Sequence, residues 1–120
     1  MSLSHAGLWG VLNNAGVLGP LGAPEWMTLD DYRTVCDVNT FGLIDVTMTF
    51  LPLVKKSRGR IVNTSSINGR LSVPLCVPYN VSKYGVEAFT DALRSYTLGM
   101  CGKPTFGSYS VFKKPNRPKI

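Results

Sequence analysis

The chain has 120 residues, enough for one small domain, and no apolar run near the ~20 residues that a membrane-spanning helix requires. Its formal charge of +6 comes from thirteen basic and seven acidic side chains; five of the basic ones (Lys103, Lys113, Lys114, Arg117 and Lys119) and no acid lie in residues 101–120, leaving eight against seven elsewhere. That near balance argues against a nucleic-acid partner for the body of the chain, and Cys36, Cys76 and Cys101, odd in number and outside any C-x-x-C pattern, suit reduced thiols in a cytoplasmic setting rather than a disulfide framework or a metal site.

In chain order, the apolar run Leu8 to Asn13 predicts a buried strand that breaks into the turn Asn13-Asn14-Ala15-Gly16. Residues 17–27, rich in Gly and Pro, predict a loop. Thr28-Leu29-Asp30-Asp31 has the form of a capping box with Asp in place of Glu. The helix that it opens keeps its period through Tyr32, Val35, Val38, Phe41 or Gly42, Asp45 and Val46, is disturbed at Pro52, and ends near Lys55 or Lys56, where cations suit a helix C-terminus.

Arg60 to Thr64 predicts a second strand, and residues 67–78, with Gly69, Pro74 and Pro78, a loop. A second long helix is expected from Pro78 or Tyr79 to Leu98, with Val81, Ala88, Phe89, Ala92 and Leu93 inward; Phe41, Phe50, Tyr84 and Phe89 are read as core aromatics. The alternation of strand and helix predicts an α/β class with a parallel sheet. Residues 1–100 form the expected domain. Residues 101–120 form a basic tail expected to be disordered, with Ser108 to Phe112 its only strand-like stretch.

Tyr79 and Lys83 share a helix face at i,i+4. A cation beside a phenol favours the phenolate, which brings proton exchange toward neutral pH. Taken singly, each residue has a plain structural role: Tyr79 and Lys83 as surface decoration, Ser66 as a turn residue, Asn39 as a polar helix contact. Their order and spacing, with the Asn-Asn-Ala-Gly turn before Asn39, Ser66 thirteen residues before Tyr79, and Tyr-x-x-x-Lys last, resemble the short-chain dehydrogenases/reductases.

The segments Gly7-Leu8-Trp9-Gly10, Leu51-Pro52-Leu53-Val54, Gly59-Arg60-Ile61-Val62-Asn63 and Ser82-Lys83-Tyr84-Gly85-Val86-Glu87-Ala88-Phe89 are similar to the branch of retinol dehydrogenases and 17-beta/3-alpha-hydroxysteroid dehydrogenases, with 3-hydroxybutyrate dehydrogenases near cousins. The resemblance implies a partial Rossmann fold and NAD or NADP chemistry on a small lipophilic alcohol or ketone of retinol or steroid type. It gives Tyr79 the role of general acid–base. Lys83 becomes its activator and a ribose ligand, Ser66 the group that polarises the carbonyl oxygen, and Asn39 the anchor of a relay water. Asn14, Ala15 and Gly16 line the adenosine side of the cofactor, and Tyr79 and Lys83 meet its nicotinamide side.

The family's Thr-Gly-x-x-x-Gly-x-Gly loop is absent, and Gly16, Gly19 and Gly22 follow the wrong strand to replace it. The residues after Arg94 also leave the family pattern. The chain is therefore expected to be truncated at both ends, marginally stable and a weak NAD(P) binder. The resemblance also implies full-length relatives associated with the endoplasmic reticulum. The competing reading is an inactive fragment or splice product that forms a homo- or heterodimer through the two long helices. A third takes Lys113–Lys119 as a patch for nucleic acid or an anionic membrane, although such tails are usually only solvated.

Overall fold

The computed structural model describes residues 7–101 and 106–109, with side chains over residues 7–97. Three parallel strands, β1 (Gly10–Asn13), β2 (Arg60–Thr64) and β3 (Phe106–Tyr109), lie in the order β1-β2-β3. Gly10 pairs with Arg60 through to Asn13 with Asn63, and Ile61 pairs with Phe106 through to Thr64 with Tyr109. Strand β3 corrects the expectation of a disordered tail over those four residues, and it begins two residues before the stretch that looked strand-like. Residues 102–105 and 110–120, with the basic cluster, lie outside the described residues.

The capping box forms as the sequence predicts. Thr28 Oγ1 accepts from the Asp31 amide, and the Asp31 carboxylate accepts from the Thr28 amide at 2.7 Å. Those contacts hold the Asp31 carboxyl below its usual range. The helical run that follows comprises α1 (Leu29–Cys36), a π-helical turn (Asp37–Phe41) and α2 (Gly42–Lys56), and it passes through Pro52 without stopping. The π turn places one extra residue in the helix. As a result the inward face does not follow the expected stripe: Val35, Asn39, Thr40, Leu43, Thr47, Leu51 and Val54 are buried, while Val38, Phe41 and Val46 face out.

The expected face of α3 (Val77–Cys101) is corrected in the same way. Val81, Ala88 and Ala92 are exposed and Phe89 and Leu93 half-buried, while Ser82, Lys83, Val86, Glu87, Thr90 and Thr97 turn inward. Ser82, Thr90 and Thr97 each donate a hydroxyl hydrogen to a carbonyl three or four residues earlier, so they enter the interior already partnered. Small residues also let this helix approach the π turn closely. A Cβ on Gly85 would come within 3.0 Å of Thr40, whose hydroxyl donates to the Ser82 carbonyl at 2.9 Å. The aromatics read as core do not serve as one: Phe41, Phe50 and Tyr84 are exposed.

One face of the sheet meets both long helices. Leu51, Val54 and Ile61 form the apolar cluster, with Leu8, Val11 and Leu93 against it. Beside it runs a polar chain in which Asn13 Nδ2 donates to Thr47 Oγ1 at 2.9 Å and to Asn63 Oδ1 at 2.8 Å. Asn63 Nδ2 in turn donates to Thr90 Oγ1 at 2.9 Å. Seven buried apolar side chains, Pro78 included, stand against twelve buried polar ones among the described residues, so the interior depends on the polar groups finding partners. Among the described residues the other sheet face is uncovered at Leu12, which is 66% exposed.

Thr90→Val keeps the shape and removes the acceptor of the buried Asn63 amide, so it should lower stability by about 1–3 kcal/mol, read as a reduced urea midpoint at unchanged slope.

Candidate active site

Tyr79, Lys83 and Glu87 follow one another at four-residue intervals along α3 and share a face. Lys83 is only 4% exposed. Its Nζ donates to the Thr64 carbonyl at the C-terminal end of β2, 3.1 Å away, and lies 5.6 Å from the centroid of the Tyr79 ring. Burial pulls the ammonium below the ordinary lysine range.

Asn39 sits in the π turn, fully buried. Its carboxamide pairs with the backbone of Val17 in both senses: Oδ1 accepts from the amide at 2.7 Å, and Nδ2 donates to the carbonyl at 2.8 Å. The second Nδ2 hydrogen goes to Ser82 Oγ at 2.9 Å, and Ser82 Oγ donates to the Tyr79 carbonyl at 2.8 Å. Asn39 therefore joins the loop after β1 to the helix turn between Tyr79 and Lys83. Ser82 is a site residue that the sequence reading misses; its signal is a small hydroxyl residue at the fourth position of Tyr-x-x-x-Lys, where α3 crosses the π turn.

The Asn14-Ala15-Gly16 turn lies at the end of β1. Asn14 Oδ1 accepts from Thr64 Oγ1 at 2.9 Å, which ties the ends of β1 and β2 together. A Cβ on Gly16 would stand 3.4 Å from Asn39 Oδ1 and 3.6 Å from Lys83 Nζ. Gly16, Asn39, Lys83 and Tyr79 thus meet at the C-terminal ends of β1 and β2, where open α/β sheets hold ligands. Asn14 and Ala15 also line a cavity of about 450 Å³ with Leu12, Val38, Leu43 and Val46.

Ser66 comes two residues after β2 and takes the turn role as well: its Oγ accepts from the Asn68 amide at 3.2 Å and caps the short 3-10 turn Ile67–Gly69. A hydroxyl that accepts there keeps its own hydrogen to donate. The turn packs closely on α3, because a Cβ on Gly69 would lie 2.8 Å from the Lys83 carbonyl oxygen. Arg70 forms an ion pair with the buried Glu87. A groove of about 680 Å³, lined by Val73, Pro74, Val77, Val81 and Tyr84 among others, lies along a different face of α3 from Tyr79 and Lys83. No described helix is long and apolar enough to cross a membrane.

A family model described as short chain dehydrogenase matches residues 3–98. The chain is 58% identical over 92 residues to Dehydrogenase/reductase SDR family member 9 of Bos taurus, covering 77% of this chain and 28% of that protein. It is 53% identical over 92 residues to Retinol dehydrogenase 16 of Mus musculus, covering 77% and 29%. It therefore spans less than a third of the length of these relatives. Among solved structures, a short chain dehydrogenase/reductase from Burkholderia phymatum in complex with NAD superposes with a TM-score of 0.75 at 29% identity, covering 87% of this chain and 37% of that one. The shared architecture is part of a Rossmann-type parallel sheet.

Because burial lowers the folded-state pKa of Lys83, the folded chain binds fewer protons there than the unfolded one between that value and the ordinary 10.5. Below this window the cost of the buried charge is present in full; it is relieved as pH rises through the window. Urea midpoints of the natural chain should climb with alkaline pH relative to those of Lys83→Met; parallel curves would contradict the assignment.

Proposed function

The chain belongs to the short-chain dehydrogenase family, and from that premise we propose that it carries the proton-transfer half of an NAD(P)-dependent interconversion of alcohol and carbonyl. The observation that carries this reading is the buried Lys83 ammonium beside the Tyr79 ring at the C-terminal ends of β1 and β2. A bound nicotinamide supplies or takes the hydride. In the oxidative direction the Tyr79 oxygen takes the hydroxyl proton of the substrate while the carbinol carbon gives up its hydride. Ser66 donates its free hydrogen to the substrate oxygen and steadies it as the carbonyl forms. Lys83 provides the counter-charge for a deprotonated Tyr79, and an oxygen of Asn39, whose Nδ2 hydrogens are spent on Val17 and Ser82, accepts from the water of the relay through which that proton leaves. A lipophilic alcohol or ketone of retinol type is the substrate class, in keeping with the relative named Retinol dehydrogenase 16.

The fit of the cofactor is uneven. Lys83 Nζ spends one donor on Thr64 and keeps others for ribose hydroxyls, and the cavity beside Asn14 and Ala15 suits a nucleoside. For the pyrophosphate the sequence offers no Thr-Gly-x-x-x-Gly-x-Gly loop, so no residue here is assigned to it. A second reading, a non-catalytic chain that pairs through its long helices, draws support from the apolar residues on their outer faces: Phe50 and Leu53 on α2, Val81 and Tyr84 on α3.

Titration of the purified chain with NADH and NADPH, followed by nucleotide fluorescence, should give weak, unsaturated binding; tight saturable binding with cooperative unfolding would overturn that expectation. Where turnover of a lipophilic secondary alcohol is measurable by NADH absorbance, Tyr79→Phe should cut kcat by about 10²–10⁴-fold. Unchanged turnover would remove Tyr79 from the chemistry.

A further inference from the structure

Asn80, next to Tyr79 in sequence, is 6% exposed and engages both ends of its carboxamide with the segment that precedes its own helix. Its Oδ1 accepts from Asn68 Nδ2 at 2.8 Å and from the Val73 amide at 3.4 Å, and its Nδ2 donates to the Val73 carbonyl at 2.8 Å. Asn68 is itself 8% exposed and gives its backbone amide to Ser66 Oγ. One side chain on the first turns of α3 therefore grips both the turn that Ser66 caps and the wall of the 680 Å³ groove at Val73.

The segment so gripped does not hold itself. Leu75 has a left-handed backbone with φ of +65°, a conformation that a non-glycine residue keeps only when its surroundings impose it. Its carbonyl accepts from the Gly22 amide at 2.9 Å, and the Val73 pairing with Asn80 lies two residues before it. Arg70 and Glu87 fasten the same turn further along α3, but that pair leaves Val73 untouched.

We propose that Asn80 is a positioning residue, whose carboxamide fixes the Ser66 turn and the Val73 wall of the groove relative to Tyr79 and Lys83. The significance of that placement rests on the reading of Ser66 and Tyr79 given above, but the contacts themselves can be tested without turnover. Hydrogen exchange of the full chain, read by mass spectrometry, provides the measurement. Asn80→Ala should speed exchange across residues 66–73 by about tenfold or more while Arg60–Thr64 and Gly42–Lys56 keep their rates. Asn68→Ala should free residues 66–71 and leave Val73 held. Asn80→Asp keeps an acceptor for Asn68 Nδ2 but sets a carboxylate oxygen against the Val73 carbonyl, so it should rescue 66–71 and not 72–73. Unchanged exchange at 66–73, loss spread evenly over the sheet and α2, or the same pattern for all three variants would overturn the proposal. Tyr79→Phe should leave this exchange map as it is, so a failure of the functional reading is separable from a failure of this one.

Discussion

Two carboxamides, the half-buried Asn13 and the fully buried Asn63, face each other across paired positions of neighbouring parallel strands, and the placement of everything else on that side of the sheet follows from them. A buried amide without a partner costs more than an ordinary hydrogen bond contributes, so the arrangement is close to all or none. Asn13 reaches α2 through Thr47, and Asn63 reaches α3 through Thr90, whose hydroxyl closes the chain on the Val86 carbonyl. Each helix is thereby fixed in height along the strands. With Thr90 set against Asn63, Lys83 falls two helical turns earlier, within reach of the Thr64 carbonyl. A slip of one residue in register would turn Asn63 to the other face and remove both contacts at once.

Much of this was legible in the sequence. The capping box at Thr28 and Asp31, the bounds of β2 and the helix that carries Tyr79 and Lys83 all announce themselves through local chemistry. Burial on α3 does not, because a hydrophobicity pattern turns Val81, Ala88 and Ala92 inward. Most of the inward residues are polar ones that bring their own partners or meet distant ones: Thr97 bonds its own helix, and Ser82 meets Asn39 from 43 residues away. The π turn escapes for the same reason. It exists because Asn39 and Thr40, adjacent in sequence, both find acceptors or donors inside, and no local preference reports that. Strand β3 is defined by its register on β2 more than by any pattern of its own.

The inward face of α3 also explains why the site needs little apolar material. Lys83 and Glu87 enter the interior beside small residues, and each has a fixed partner, the Thr64 carbonyl for one and Arg70 for the other. The hydrophobic side chains displaced from that face go outward, where Val81 and Tyr84 border the groove. Over its first half the helix thus turns mostly polar groups inward, with Pro78 and Val86 the apolar exceptions, and carries Val81 and Tyr84 on its outer side.

The π turn at Asp37–Phe41 is, in effect, a one-residue insertion that the helix has absorbed instead of looping out. An α-helix advances about 100° per residue, so the extra residue sets α1 and α2 out of phase by nearly a third of a rotation. Val35 and Leu43 can then address different neighbours while remaining on one continuous rod. A sequence of the same composition but one residue shorter would form a smoother helix whose two ends could not both face their present neighbours. Local regularity and correct placement are opposed at this point of the chain, and placement prevails.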